Sequence, residues 1–183
     1  MQLLMKGWKF AFLALLAGAS AVSAQGRVGT CDCEAEIEDG TFRTTIIRQG
    51  RVSKDVKIDL EDREFEFCVT LGRRTRIIFD DFPIAGNRGG LNFDLLVQMG
   101  AANVQNGRVQ VNGAVVGQIK DGNRTVNVNM PIQFVGRVER DDDDLEIEGN
   151  LTGGQRIGNN NNGAALSIRA RIEAERDDIF DDD

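Results

Sequence analysis

Apolar and polar residues alternate with a period of two along most of the chain, and this alternation constrains the fold more than any other feature. The segment LNFDLLVQM at 91–99 places five apolar side chains on one face of an extended strand, and ALSIRARIEAE at 165–175 repeats the pattern. No window of ten or more residues has a convincing helical period. Strands with one apolar face are typical of antiparallel sheets. The sequence therefore predicts an all-β fold: an antiparallel β-sandwich or jelly roll of about ten strands, with a closed β-barrel as the alternative.

Glycine and asparagine separate these strands. Asn-Gly pairs at 106 and 112 predict tight hairpins, as do DGN at 121–123 and GNNNNG at 158–163. Pro131 lies within a long alternating run, and proline has no N–H for a strand ladder. We therefore expect its strand to lie at an edge, to bulge, or to break near residue 131.

The first 24 residues have the pattern of a secretory signal peptide. Lys6 and Lys9 flank the start of an apolar run, and small residues at 22–24 offer a cleavage site. No later stretch is apolar enough to cross a membrane. The sequence predicts a signal peptide at 1–24, a single β domain at 25–176 and an acidic C-terminal tail at 177–183. The protein should be secreted: extracellular, or periplasmic if the host is bacterial.

The cysteines pose an odd-number problem, because the chain has three of them: Cys31, Cys33 and Cys68. An exported chain favours a disulfide, and the strand pattern puts Cys31 and Cys33 on the same face. Either could therefore bond to Cys68, closing a loop of roughly 36 residues worth about 4 kcal/mol. The remaining thiol is either idle or bonded to a second chain in a disulfide-linked homodimer. Zinc is not expected, since three thiols without histidine leave its tetrahedral shell one ligand short.

The net charge comes from two clusters of aspartate. The chain has 22 basic and 29 acidic residues, and removal of Lys6 and Lys9 with the signal leaves 20 basic residues against 29. The clusters contain nine residues, namely Asp141, Asp142, Asp143 and Asp144, then Asp177, Asp178, Asp181, Asp182 and Asp183. The rest of the domain sums to zero, which suggests acidity appended to the fold. The mature chain has no basic excess for nucleic-acid phosphates.

The four aspartates at 141–144 lie between two alternating strands and predict an acidic hairpin tip. Hydrated Ca²⁺ could bind weakly there through carboxylate oxygens, although the spacing is not that of an EF-hand. The alternatives are contact with a cationic surface and a simple solvated turn. We expect no other cofactor. Asn123 and Asn150 begin Asn-x-Thr sequons, which would be glycosylated in a eukaryotic host.

The residue inventory disfavours an enzyme. The chain has no histidine, which excludes nucleophile systems that need an imidazole base. A carboxylate-based hydrolase would have to use acids such as Asp80, Asp81 and Asp94, held together in a cleft.

We therefore predict a secreted, non-catalytic structural or interaction module that contacts other extracellular proteins or charged surfaces. A second hypothesis is a β-barrel carrier of a small apolar ligand, with a cavity lined by Phe67, Phe93 and Phe134. The hydrolase is the third.

Overall fold

The computed structural model describes residues 33–70, 75–141 and 144–176, and these residues form strands and turns with no helix. The signal peptide at 1–24 and the acidic tail at 177–183 lie outside the described residues. The strands are β1 (Cys33–Arg48), β2 (Arg51–Asp59), β3 (Arg63–Thr70), β4 (Arg76–Phe79), β5 (Phe82–Arg88), β6 (Leu91–Met99), β7 (Ala101–Asn103), β8 (Arg108–Asp121), β9 (Arg124–Asp141), β10 (Asp144–Gly158) and β11 (Asn162–Arg176).

All eleven strands belong to one antiparallel sheet. Its order is β5-β6-β8-β9-β10-β11-β1-β3-β4-β7, and β2 pairs with the second half of β1. The all-β antiparallel prediction is confirmed. The sheet is curled into a half-barrel, a form between the predicted sandwich, which needs two sheets, and the alternative closed barrel.

The predicted apolar faces form the core. Leu91, Phe93, Leu95, Val97 and Met99 are all buried, as the alternation of that segment indicates. Aromatic rings join strands that are far apart in the sheet order. The Phe42 ring on β1 meets Phe93 on β6 with centroids 6.2 Å apart, and Phe79 on β4 meets Phe134 on β9 at 5.1 Å. The curl of the sheet therefore brings distant strands face to face around the rings.

Two glycines make room for the ring of Phe134. Gly136 and Gly149 lie opposite each other on β9 and β10. A Cβ atom added to Gly149 would lie 2.6 Å from Cζ of Phe134, and one added to Gly136 would lie 2.8 Å from the same atom. Glycine at both positions lets the Phe134 ring lie directly on the backbone of the sheet, where it is buried.

Most predicted turns are present, with one exception. Asn106 and Gly107 have φ values of 52° and 67°, as expected for the tight Asn-Gly turn between β7 and β8. The turn predicted at Asn112-Gly113 is wrong, because both residues lie inside β8. A Cβ atom on Gly113 would lie 2.1 Å from the carbonyl oxygen of Gln98, so this glycine permits a close approach of β6 and β8.

Pro131 limits the pairing of β9 with β10. The ladder between these strands ends at Ile132 and Gly153, while β9 continues to pair with β8 as far as Arg124. The carbonyl oxygen of Pro131 approaches Gly153, where an added Cβ atom would lie 2.6 Å from it. Since N–H and C=O of one strand residue point to the same neighbour, the Pro131 nitrogen faces β10 without a proton to donate. The strand itself does not break, since β9 is continuous from Arg124 to Asp141; what ends beside Pro131 is its ladder with β10.

Candidate functional site

The outer face of the sheet has a row of glutamates across five neighbouring strands. The pairing register places one glutamate of each strand directly opposite the next, in the order Glu66 on β3, Glu34 on β1, Glu175 on β11, Glu146 on β10 and Glu139 on β9. All five are exposed. Neighbouring strands lie about 4.8 Å apart, so the carboxylates are close enough to repel one another.

A second row lies two residues further along the same strands. It consists of Glu64 on β3, Glu36 on β1, Glu173 on β11 and Glu148 on β10. Beyond Glu148 the row changes sign, because Arg137 on β9 lies opposite it. Residues i and i+2 of a strand are about 6.8 Å apart, which sets the spacing between the two rows. We call these nine residues the glutamate face.

Arg171 and Glu38 lie beside the second row. Glu38 occupies the bulge of β1, where the register with β11 shifts between Ile37 and Asp39. The Arg171 Nε atom lies 2.7 Å from Oε2 of Glu38, and its Nη2 atom lies 2.7 Å from Oε1 of Glu148. One guanidinium therefore bridges two glutamates, and the remaining carboxylates stay crowded.

The crowding changes the acidity of Glu173. The pKa of this carboxyl is raised from 4.5 to about 7, chiefly by its hydrogen bond with Glu38, then by partial burial and by repulsion from Glu38, Glu146 and Glu175. Like charges nearby favour the neutral form of an acid. The face therefore holds a proton at a pH where an isolated glutamate would be ionised.

The predicted acidic hairpin adjoins the first row. Asp141 and Asp144 pair at the end of β9 and β10, two residues beyond Glu139 and Glu146, while residues 142–143 lie outside the described residues. The hairpin prediction is confirmed at these two ends. Within the described ranges, no group of three or more histidine, cysteine or acidic side chains is arranged to hold a metal ion. Weak Ca²⁺ binding by Asp141, Asp142, Asp143 and Asp144 stays a prediction.

A different cluster lies inside the opposite end of the sheet. The carboxylate of Asp121, at the end of β8, is 7% exposed and accepts hydrogen bonds from Arg48 and Lys54. The Lys54 Nζ atom is 2.8 Å from Oδ1 of Asp121 and 2.7 Å from the carbonyl oxygen of Gly90. The hydrogen bond from Lys54, with that from Arg48, lowers the pKa of Asp121. The cluster ties β1 and β2 to β8 across the interior.

The candidate carrier residues pack against other side chains. Phe67, Phe93 and Phe134 are buried, at 0–2% exposure. Phe79 contacts both Phe67, at 6.0 Å between centroids, and Phe134, at 5.1 Å. These rings form the packed core of the half-barrel, so the cavity that the carrier hypothesis places among them is occupied by aromatic side chains.

The candidate hydrolase acids are exposed. Asp80 and Asp81 lie between β4 and β5, and Asp94 lies on the outer face of β6. Asp81 accepts a hydrogen bond from Gln98 on β6. Gln98 and Asp94 lie on the same face of β6, four residues and thus roughly 13 Å apart along the strand. The shared cleft that the hydrolase hypothesis requires is not formed by these three residues.

The cysteines and sequons are placed as follows. Cys33 faces the interior opposite Phe67, whereas Cys68, next to Phe67 on β3, faces the outer side and is half-buried. Cys31 lies outside the described residues, and the pairing of Cys68 stays a prediction. Asn123, in the turn between β8 and β9, and Asn150, on β10, are both exposed, as expected for glycan acceptors.

Sequence reasoning missed the glutamate face, although a signal for it exists. Four segments contain Glu-x-Glu, namely CEAEIE, REFEFC, DLEIE and RIEAER, each time with an apolar residue between the acids. Each motif predicts two glutamates on a solvent face, but only the register aligns all four. Comparison of the chain with protein-family models, with curated proteins and with solved structures finds no match.

Proposed function

We propose that the protein is a secreted, non-catalytic interaction module whose glutamate face binds a lysine- or arginine-rich partner protein. The observation that carries the proposal is the alignment of nine glutamates in two adjacent rows. Secretion rests on the pattern of residues 1–24.

The energetics of the face favour a cationic partner. The two rows contain seven pairs of directly opposed glutamates, four in the first row and three in the second. Opposed like charges destabilise a sheet, by about 0.2–1 kcal/mol for each pair. A partner that places ammonium or guanidinium groups between the carboxylates would remove this repulsion on binding.

The spacing of the face also suits an extended basic segment. Alternate side chains of an extended peptide repeat about every 6.8 Å, which is the separation of the two rows. Asp144 on β10, two residues before Glu146, is exposed and prolongs the acidic surface beyond the first row. Its charge would add to that of the face in steering a cationic partner and quickening its association.

A short oligolysine peptide provides the direct test, by calorimetric titration at low ionic strength. We expect saturable binding that weakens steeply with added salt. The double substitution Glu34→Gln and Glu175→Gln, at the centre of the first row, should weaken binding about tenfold or more. The matched control, Asp59→Asn with Asp94→Asn, removes the same charge from exposed sites outside the face and should change affinity less than about twofold.

Two outcomes would refute the proposal. One is equal weakening by the test and control pairs, which would mean that only net charge matters. The other combines two results: no binding of oligolysine, and saturable binding of Ca²⁺ that Asp144→Asn weakens. These results would assign the acidic hairpin end of the sheet to a metal ion.

A further inference from the structure

An open cavity of about 510 Å³ lies at the end of the sheet that also holds the Asp121 cluster. It is bounded by the first residues of β9 on one side and by the end of β10, the start of β11 and the end of β1 on the other. It exists because the pairing of β9 with β10 stops at Ile132 and Gly153. Between Pro131 and Arg124, the hairpin of β8 and β9 therefore diverges from the hairpin of β10 and β11. Its volume falls in the range of ligand pockets, roughly 300–1,000 Å³.

The inner wall of the cavity is apolar. Ile46 on β1, Ala164 on β11 and Ile157 on β10 lie opposite one another in register and face inward. Val126 on β9 faces them across the opening and is only half-buried. Ile46 and Ala164 are buried in the core, whereas Val126 and Ile157 pack against the core and stay half-buried. An apolar ligand group would therefore bury the surface that Val126 and Ile157 still expose to water.

The mouth of the cavity is cationic. Arg48 and Arg124 line it with Asp121, and Lys54 lies behind Asp121. Three cations against one carboxylate leave an excess of positive charge, and Arg124 forms no ion pair with the residues that the structure describes. The Nε atom of Arg48 is buried without a hydrogen-bond partner, so the hydrogen-bonding capacity of this guanidinium is only partly used by Asp121.

We propose that this cavity binds a small amphipathic anion, a carboxylate with a short aliphatic chain. The chain would lie against Ile46, Val126 and Ile157, and the carboxylate would accept hydrogen bonds from Arg48 and Arg124. Charge complementarity selects this occupant over a neutral or cationic amphiphile. The inference concerns the opposite end of the molecule from the glutamate face and does not depend on the function proposed there.

The test uses sodium octanoate and octanol, which share a chain and differ in charge, titrated calorimetrically into the mature protein. We expect saturable octanoate binding and at least about tenfold weaker octanol binding. Arg124→Glu should weaken octanoate binding about tenfold and leave octanol unchanged. Val126→Trp should remove binding of both compounds by filling the cavity.

Each variant has a matched control on the outer face. Arg169→Glu makes the same charge change at an exposed site, and Val135→Trp places the same ring on the solvent side of β9. Both should bind octanoate within about twofold of the native protein. Should Val126→Trp fail to fold, Arg124→Glu decides the question, since Arg124 is exposed. Absence of saturable octanoate binding, equal binding of octanol, or equal losses in test and control variants would overturn the proposal.

Discussion

The glutamate face should make the protein less stable at about pH 8 than at about pH 5, and Glu173 should cause most of the difference. Its pKa is raised from 4.5 to about 7 in the folded chain, so the folded state binds a proton more tightly than the unfolded state. The resulting stabilisation is fully present below pH 4.5 and is lost as the pH rises through about 7. This direction is opposite to that of a salt-bridged carboxylate.

The magnitude follows from the size of the shift. One pKa unit corresponds to about 1.4 kcal/mol, so a rise from 4.5 to about 7 sets an upper limit of about 3.4 kcal/mol. The Glu173 side chain is only partly buried, and solvent screens its interactions with neighbouring acids. We therefore expect the free energy of unfolding to fall by about 1–2 kcal/mol between the two pH values.

Urea unfolding followed by far-ultraviolet circular dichroism would measure this difference. The chain has no histidine, so no imidazole titrates between the two pH values. Asp121 and Asp55 have lowered pKa values and stay ionised throughout this range, which keeps their contributions constant. The variant Glu173→Gln mimics the protonated acid and should be about 1–2 kcal/mol more stable than the native protein at about pH 8, with little difference at about pH 5.

A stability that stays flat or rises between these pH values would refute the reasoning. So would an equal gain from Glu61→Gln, an exposed control in the turn after β2. Raising the salt concentration should shrink the pH effect in the native protein, because screening weakens the repulsion among neighbouring carboxylates.

Three further predictions concern the core and the cysteines. Asp121→Asn should lower the free energy of unfolding by about 2–4 kcal/mol in chemical denaturation, because it leaves two cations without their buried anion. Gly149→Ala should lower the free energy of unfolding by about 1–3 kcal/mol, measured by thermal unfolding. In the control Gly154→Ala, the Cβ atom would lie 3.5 Å from its nearest neighbour, and the loss should be less than about 0.5 kcal/mol. Equal losses in the two variants would contradict the role of Gly149 in making room for Phe134. Cys33 and Cys68 face opposite sides of the sheet, so we expect any disulfide of Cys68 to exclude Cys33. In non-reducing electrophoresis, Cys33→Ser should therefore keep a reduction-sensitive disulfide that Cys68→Ser removes. Loss of this disulfide in Cys33→Ser would refute the prediction.

The sequence predicted the strands and their buried faces well, because alternation is a local property. Each residue two positions along a strand faces the same side, whichever strand lies next to it. The face of Leu91–Met99 could therefore be assigned without knowing its neighbours. The curl of the sheet could not, since it depends on which rings meet across the interior, as Phe79 and Phe134 do.

The glutamate face escaped prediction because register is not local. A shift of one residue between β1 and β11 would place Glu34 opposite Ala174 or Arg176 instead of Glu175, and the row would no longer form. The turn predicted at Asn112-Gly113 was wrong for a similar reason, because pairing between distant segments was not known. Both residues lie inside β8, where Gly113 lets the backbone of β6 approach closely. Local signals specify which residues can turn or face solvent, and tertiary pairing decides which of them do.

Net charge was the least informative quantity for the candidate sites. Outside the two aspartate clusters, residues 25–183 contain equal numbers of basic and acidic side chains, yet the structure separates the opposing charges. Glutamates crowd one end of the curled sheet, while Arg48, Lys54 and Arg124 meet at the other around a single buried aspartate. Because interactions between charges fall off within about 10 Å at ordinary ionic strength, a partner contacting either end responds to the local charge and not to the sum. A neutral total therefore permits two oppositely charged surfaces on one small domain, each selecting ligands of the other sign.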